Sequence, residues 1–422
     1  ARARGGGPLP QWFRGDVGHL LDCLDPRVRR LPGRVGWPAG AAPAPSAPAA
    51  PMLTFEAGRY ANTRRPTYVL VDRGTASAAE VLATQRTACA RALHLACLAL
   101  GLSSGDSLWT VPNTFVASAN CGRYCGAEVD FVDINMSTYQ IDIESLESKL
   151  RTLKSHGKKV KALIAVDYAG NPCDWIKLRE LADNYEFQLV NDNCHAMGAQ
   201  YHHEKKYAVK YADIVTHSYH PVKNITTGEG GSVLTNSDSL HQKICDLRSH
   251  GITKDGSRLS HSEEPWYYEM QELGFNYRIT DMQCALGSSQ LKKLDSFIKK
   301  RNDIASYYDN CLLDSDLIQK PQIAKKSVCA YHLYPLLIDF KNLGIQKHDF
   351  FKNFYNKGIN FQVHYIPIHL QPFYKKKFNY KSGDFPNSEE FYSKQISLPI
   401  YPSLKDSELQ YVVEELNKFL SE

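Results

Sequence analysis

Apolar side chains between residues 92 and 217 switch repeatedly between helical and extended spacing, and this alternation constrains the fold more than any other feature of the chain. Residues 92–100 (ALHLACLAL) read as a buried helix, followed by a turn from Gly101 to Asp106 and a strand at 107–111. The polar-aromatic stretch 112–120 (PNTFVASAN) runs into another helix, and 128–132 form a short strand. Over 141–154, Ile143, Leu146, Leu150 and Leu153 recur at helical spacing. Residues 160–167 (VKALIAVD) are almost continuously apolar, as in a parallel sheet covered on both faces. A helix at 174–186 and strands at 187–191 and 213–217 continue the rhythm. Strand–helix alternation of this kind predicts an α/β domain with a mostly parallel sheet.

Beyond that, residues 282–310 carry one long helical periodicity. From Tyr331 onward a strand-like HLYPLLIDF, a helix at 347–356, a strand at 359–364 and a helix at 405–420 predict a smaller α+β domain. The expected partition is therefore 91–300 and 301–422, preceded by an atypical segment 1–90. That segment is compositionally foreign. No lysine occurs before Lys149, and the first 100 residues hold 13 arginines, whereas 30 lysines and six arginines follow from Lys149 on. Residues 38–51 (PAGAAPAPSAPAAP) cannot bury a core and favour an extended chain, so 1–90 is expected to be poorly ordered and not native to the domain.

Composition excludes several classes. A net charge of +5 over 422 residues is too weak to imply nucleic acid or an anionic membrane. The longest mostly apolar run, Ala92 to Leu102, is about half of what a membrane helix needs. No secretory leader pattern is visible, and the 11 cysteines lack any CxxC pair. Reduced thiols in a cytoplasmic protein are the expectation.

In open α/β sheets ligands lie outside the carboxyl ends of the strands. Two segments bring reactive groups to such ends. In 189–199 (LVNDNCHAMGA) the strand delivers Asp192 and then His195; in 213–231 (DIVTHSYHPVKNITTGEGG) it delivers Ser218, His220, Lys223 and a glycine-rich loop. A lysine held among Ser, His, Thr and Gly can lose its proton and form a Schiff base with an aldehyde. With a carboxylate from the neighbouring strand, that pair points to pyridoxal phosphate. Phe115 could stack on the cofactor ring, Ser218 could reach its phosphate and His195 its phenolic oxygen; Phe115 reads equally well as core. Cys194, His195, His217 and His220 fit no zinc spacing, and no metal is expected. The glycines at 228–231 lack both the P-loop ending and the dinucleotide fingerprint.

The strings NDNCHAMGA, HSYHPVKNITTGEGGSVLTN, GFNYRITDMQCALG and VHYIPIHLQPFY closely resemble the DegT/DnrJ/StrS family of sugar-nucleotide aminotransferases, from about Leu93 to Leu420. The resemblance implies a type I, aspartate-aminotransferase-like fold, with a large mostly parallel-sheet domain and a smaller C-terminal α+β domain. It also implies a homodimer with sites built from both subunits. Lys223 matches the family's cofactor lysine and Asp192 its pyridine-nitrogen aspartate. His195 matches the partner of the phenolic oxygen, Phe115 the stacking aromatic and Ser218 a phosphate ligand. Asn276 resembles the asparagine that reaches the neighbouring subunit's phosphate. His364, Tyr365 and His369 fall in the segment that lines the sugar-nucleotide pocket. The implied reaction moves an amino group from an amino acid, glutamate in the family, to C4 of a UDP-linked 4-keto-6-deoxy-N-acetylhexosamine, as in pseudaminic acid biosynthesis.

One stretch departs from the pattern. Relatives carry a Ser/Thr-rich loop that cradles the phosphate, and the matching residues here run from Thr87 to His94, with Ala90 and Arg91 at two hydroxyl positions. A charge-assisted contact from Arg91 is one substitute for the lost hydroxyls. Besides the active enzyme, two readings therefore stand: a non-catalytic scaffold or dimer partner, and a transaminase for another keto nucleotide sugar.

Overall fold

The computed structural model describes residues 67–71, 87–261 and 264–421. Most of segment 1–90, including the Pro/Ala-rich 38–51, lies outside these residues. Within it, Thr67–Val71 forms a strand, β1, and the first described helix, α1, already begins at Thr87 and runs to Ala99. The described residues thus include positions within 1–90.

The alternation predicted after residue 92 is observed. It comprises β2 (Ser107–Thr110), α2 (Ala117–Tyr124), β3 (Glu128–Phe131), α3 (Ile143–Ser155), β4 (Ala162–Val166), α4 (Trp175–Tyr185) and β5 (Gln188–Asp192). After these come α5 (Tyr207–Tyr211), β6 (Ile214–Ser218), β7 (Gly231–Thr235) and α6 (Asp238–Arg248). The sheet has the order β1-β7-β6-β5-β4-β2-β3. Strands β2 to β6 pair in parallel, while β7 runs antiparallel to β6 and β1 antiparallel to β7. Every residue of β4 and β6 is buried, which explains the unbroken apolar runs. Helix starts are fixed locally: Asp142 accepts from the Ser145 N–H at 2.8 Å and Asp174 from the Lys177 N–H at 3.2 Å. Strand β7 was hidden within the glycine-rich motif, because GSVLT is short and follows directly on a loop.

A two-stranded ribbon, β8 (Ile252–Thr253) and β9 (Glu269–Met270), precedes α7 (Asp281–Leu291) and α8 (Leu294–Cys311). The helical periodicity expected over 282–310 is present as two helices, separated at Lys292 and Lys293. The two have different burial: α8 buries Ile298, Arg301, Ile304, Ala305 and Tyr308, whereas α7 buries no residue, so no common core fixes one axis.

The remaining elements are β10 (Ile318–Gln319), β11 (Tyr334–Ile338), α9 (Lys347–Asn356), α10 (Pro372–Phe378), α11 (Pro386–Lys394), β12 (Gln395–Leu398) and α12 (Asp406–Ser421). Strands β10, β11 and β12 form an antiparallel sheet. Its core gathers Tyr308, Tyr334, Phe350, Phe354, Ile396 and Leu416. The strand expected at 359–364 is not formed; only Gln362 bridges to Ser397. The ladder stops because the next available amide, that of His364, donates to the Gln395 side-chain oxygen at 3.0 Å instead of to a main-chain carbonyl. Among the described residues no helix is long and apolar enough to cross a membrane.

Candidate active site

Parallel pairing of β5 with β6, in the register Asp192↔Thr216, brings Asp192 and Ser218 to the same edge of the sheet. Asp192 is 4% exposed; its Oδ2 accepts from Ser118 Oγ at 2.7 Å and its Oδ1 from the Cys194 N–H at 3.3 Å. Ser118 in turn meets Thr114 Oγ1 at 2.9 Å. Among the described residues no cation pairs with this buried carboxylate. Buried carboxylates ordinarily have a positive partner, so an N–H⁺ supplied by a bound group fits here.

Lys223 sits on a loop that is closed at its base. The Tyr219 N–H donates to the Gly230 carbonyl at 2.7 Å, and the Thr227 N–H to that of Tyr219 at 3.0 Å. Asn224 ties the loop to the turn after β5 through the Met197 carbonyl, at 3.1 Å. The partly buried Lys223 Nζ lies 3.4 Å from His332 Nε2. The His332 ring in turn lies 4.4 Å from that of His195.

His195 has a defined tautomer. Its Nδ1 accepts from the Ala169 N–H at 3.2 Å, and burial together with the Lys223 charge pushes its pKa well below the ordinary histidine value. A neutral ring accepting at Nδ1 carries its proton on Nε2. That N–H faces the Tyr365 hydroxyl at 3.2 Å, and it is the donor a cofactor phenolic oxygen would require. Phe115, half-buried, lies 6.0 Å from the Tyr365 ring. The Tyr168 hydroxyl donates to the His364 carbonyl at 2.5 Å, and His364 Nδ1 meets Ser397 Oγ at 2.8 Å. Burial and the nearby Lys223 charge push His364 down to about 4.

Phe115, Asp192, His195, Ser218, Lys223, His364 and Tyr365 thus stand on strand ends or on segments linked to them. Two of the expected residues do not join this set. His369 is wholly buried, bonded through Nε2 to Glu389 at 3.0 Å and packed 4.8 Å from the Phe385 ring; the expectation that it lines a substrate pocket gives way to a core position. Asn276 bridges to Ser249, and among the described residues no hydrogen bond or ring contact joins it to the Lys223 cluster. Arg91 lies over the Tyr277 ring at 5.0 Å. A cavity of ≈ 470 Å³ lined by Asn135, Asp142, Asp174, His202 and Lys325, among others, shares no residue with the cluster.

Sequence reasoning missed His332, Ser118 and Asp167. Asp167, just after β4, is fully buried and gathers donors from Cys173 N (2.8 Å), Trp175 Nε1 (2.9 Å), Asn193 Nδ2 (2.8 Å) and Tyr207 OH (2.6 Å). Its position at the end of an apolar strand, like that of Asp192, was the available signal. His332 gave none, since it opens a string that reads only as a strand.

The family model described as the DegT/DnrJ/EryC1/StrS aminotransferase family matches residues 76–417. The chain belongs to this family. It is a pyridoxal-phosphate-dependent transaminase with the fold the motifs implied. A family member from Campylobacter jejuni named UDP-4-amino-4,6-dideoxy-N-acetyl-beta-L-altrosamine transaminase is 39% identical over 329 residues, covering 78% of this chain and 83% of its own. The Bacillus subtilis spore coat polysaccharide biosynthesis protein SpsC is 34% identical, with coverages of 77% and 82%. Among solved structures, Helicobacter pylori PseC, an aminotransferase of pseudaminic acid biosynthesis, superposes with a TM-score of 0.71 at 29% identity, covering 84% of this chain and 86% of its own.

Proposed function

We propose that the chain transfers an amino group from L-glutamate to C4 of a UDP-linked 4-keto-6-deoxy-N-acetylhexosamine, in nucleotide-sugar biosynthesis of the pseudaminic acid type. It would do so as a cytoplasmic homodimer. The observation that carries this reading is that Lys223 and the neutral His195 both flank the His332 ring, while Asp192, three residues before His195, is a buried carboxylate with no cation among the described residues. The names of the Campylobacter and Helicobacter relatives support the substrate class. The exposed, unburied α7 supports self-association. In this reading the larger domain, 91–300, holds the cofactor and the smaller, 301–422, contributes substrate contacts.

When bound, pyridoxal phosphate supplies an electron sink for moving an amino group between two carbon atoms. Lys223 anchors it and, once released, carries a proton on Nζ to and from the reacting carbon. Asp192 would hold the pyridine N–H. His195 donates from Nε2, Phe115 packs on the ring, and Ser218 reaches the phosphate, with Asn276 of the second copy. His364 and Tyr365 contact the sugar nucleotide.

The test is the visible absorption of the purified chain with added pyridoxal phosphate, wild type beside Lys223→Ala. A band in wild type alone, bleached by glutamate, is expected. Identical spectra would overturn the catalytic reading in favour of a non-catalytic relative whose altered residues 87–94 no longer hold the phosphate.

A further inference from the structure

His332 meets the reactive amine and has no task in the reading above. The residue is 7% exposed and its side chain makes one hydrogen bond, between Nε2 and Lys223 Nζ at 3.4 Å. Nδ1 is buried with no partner. The charged and titratable groups acting on the ring are Lys223 on the loop after β6, His195 after β5, His364 between α9 and α10 and Arg301 on α8. None is a carboxylate. Burial, and then the Lys223 charge, hold this imidazole neutral, far below its ordinary pKa.

A neutral imidazole facing an ammonium group has one useful arrangement. Nε2 must accept, because the other tautomer would set N–H against N–H. The proton then sits on Nδ1, where it is orphaned. An aromatic or aliphatic side chain would fill the same space without that penalty, which is large for a buried polar group. The backbone is fixed as well: Arg301 donates to the carbonyls of Tyr331 at 2.9 Å, His332 at 3.4 Å and Ile400 at 2.8 Å. The Ala330 N–H also docks on the Gly170 carbonyl at 2.9 Å. The ring is held on both sides for a single polar contact, and that contact is with Lys223.

We propose that His332 is a positioning residue for Lys223: its Nε2 holds the ε-ammonium beside His195 and favours the proton-carrying state of the amine. This rests on the reading of Lys223 as the cofactor lysine. It extends that reading by assigning to the smaller domain the control of the lysine's charge.

The experiment measures acylation of Lys223 against pH, by peptide mass spectrometry, on the full chain stripped of cofactor. Wild type is compared with His332→Phe and His332→Gln. Losing the acceptor should lower the midpoint in His332→Phe by about one pH unit, the size of a hydrogen bond to a charged group. His332→Gln, whose amide oxygen replaces Nε2, should stay at the wild-type midpoint. An unchanged midpoint in a cooperatively unfolding His332→Phe would overturn the proposal. Should that variant not fold, His332→Asn serves, since its amide falls short of Nζ; equal midpoints for Asn and Gln would then sink the idea. Added pyridoxal phosphate separates the two readings. No visible band in wild type rejects the cofactor-lysine reading while the amine titration still decides His332. A band with an unshifted midpoint rejects His332 alone.

Discussion

His217, on β6, is 8% exposed, bonds through Nδ1 to the Asn193 carbonyl at 3.4 Å, and is pushed by burial from 6.5 down to about 4. Below about pH 6.5 the unfolded chain takes up this proton and the folded one does not, so stability present above 6.5 is lost as pH falls towards 4. We expect the thermal unfolding midpoint to drop across that window, and His217→Asn to flatten the slope. A slope unaltered by the substitution would show that other groups govern acid stability. At this scale the sequence was informative wherever chemistry follows a strand end. The placement of Lys223, Asp192, His195 and Ser218 at strand ends could be read because the residues beside them announce a strand and a loop. His332 and Ser118 could not, because their partners lie 109 and 74 residues away.

The element that joins the two halves of the site is the turn at 168–170. Gly170 has φ 97°, and a Cβ there would stand 2.7 Å from the Tyr331 nitrogen and 2.9 Å from the His195 carbonyl oxygen. Main chain on both sides leaves nothing flexible to give way. Gly170→Ala should cost about 2–4 kcal/mol by denaturant unfolding, from backbone strain plus steric clash. Gly256→Ala, which meets nothing within 4 Å, should stay within about 0.5 kcal/mol. Equal stabilities would mean that the 329–333 segment does not depend on this docking. Element types were largely legible from periodicity. Periodicity did not reveal the break between α7 and α8, which do not share a core, and residues 359–364 have strand-like composition but lend an amide to a side chain.

For the whole molecule the telling surface is the stretch 266–291. Trp266, Leu273 and Met282 are 74%, 81% and 83% exposed, on a segment that includes a helix without a buried residue. Leaving such side chains in water is unfavourable, and a second copy is the partner the proposed dimer provides. Leu273→Glu with Met282→Glu should shift sedimentation to the monomer and weaken the visible cofactor band, if Asn276 acts across the interface. A dimer that survives both changes would place the interface elsewhere. By itself the sequence determined the α/β class, because that rests on spacing within a few tens of residues, and the family, because its resemblance is carried by contiguous strings. The tertiary structure decided the rest: that His332 meets Lys223, that His369 is core, and that Thr67–Val71 completes the sheet edge. Those outcomes depend on which distant segments compete for the same buried space, and no local pattern records that competition.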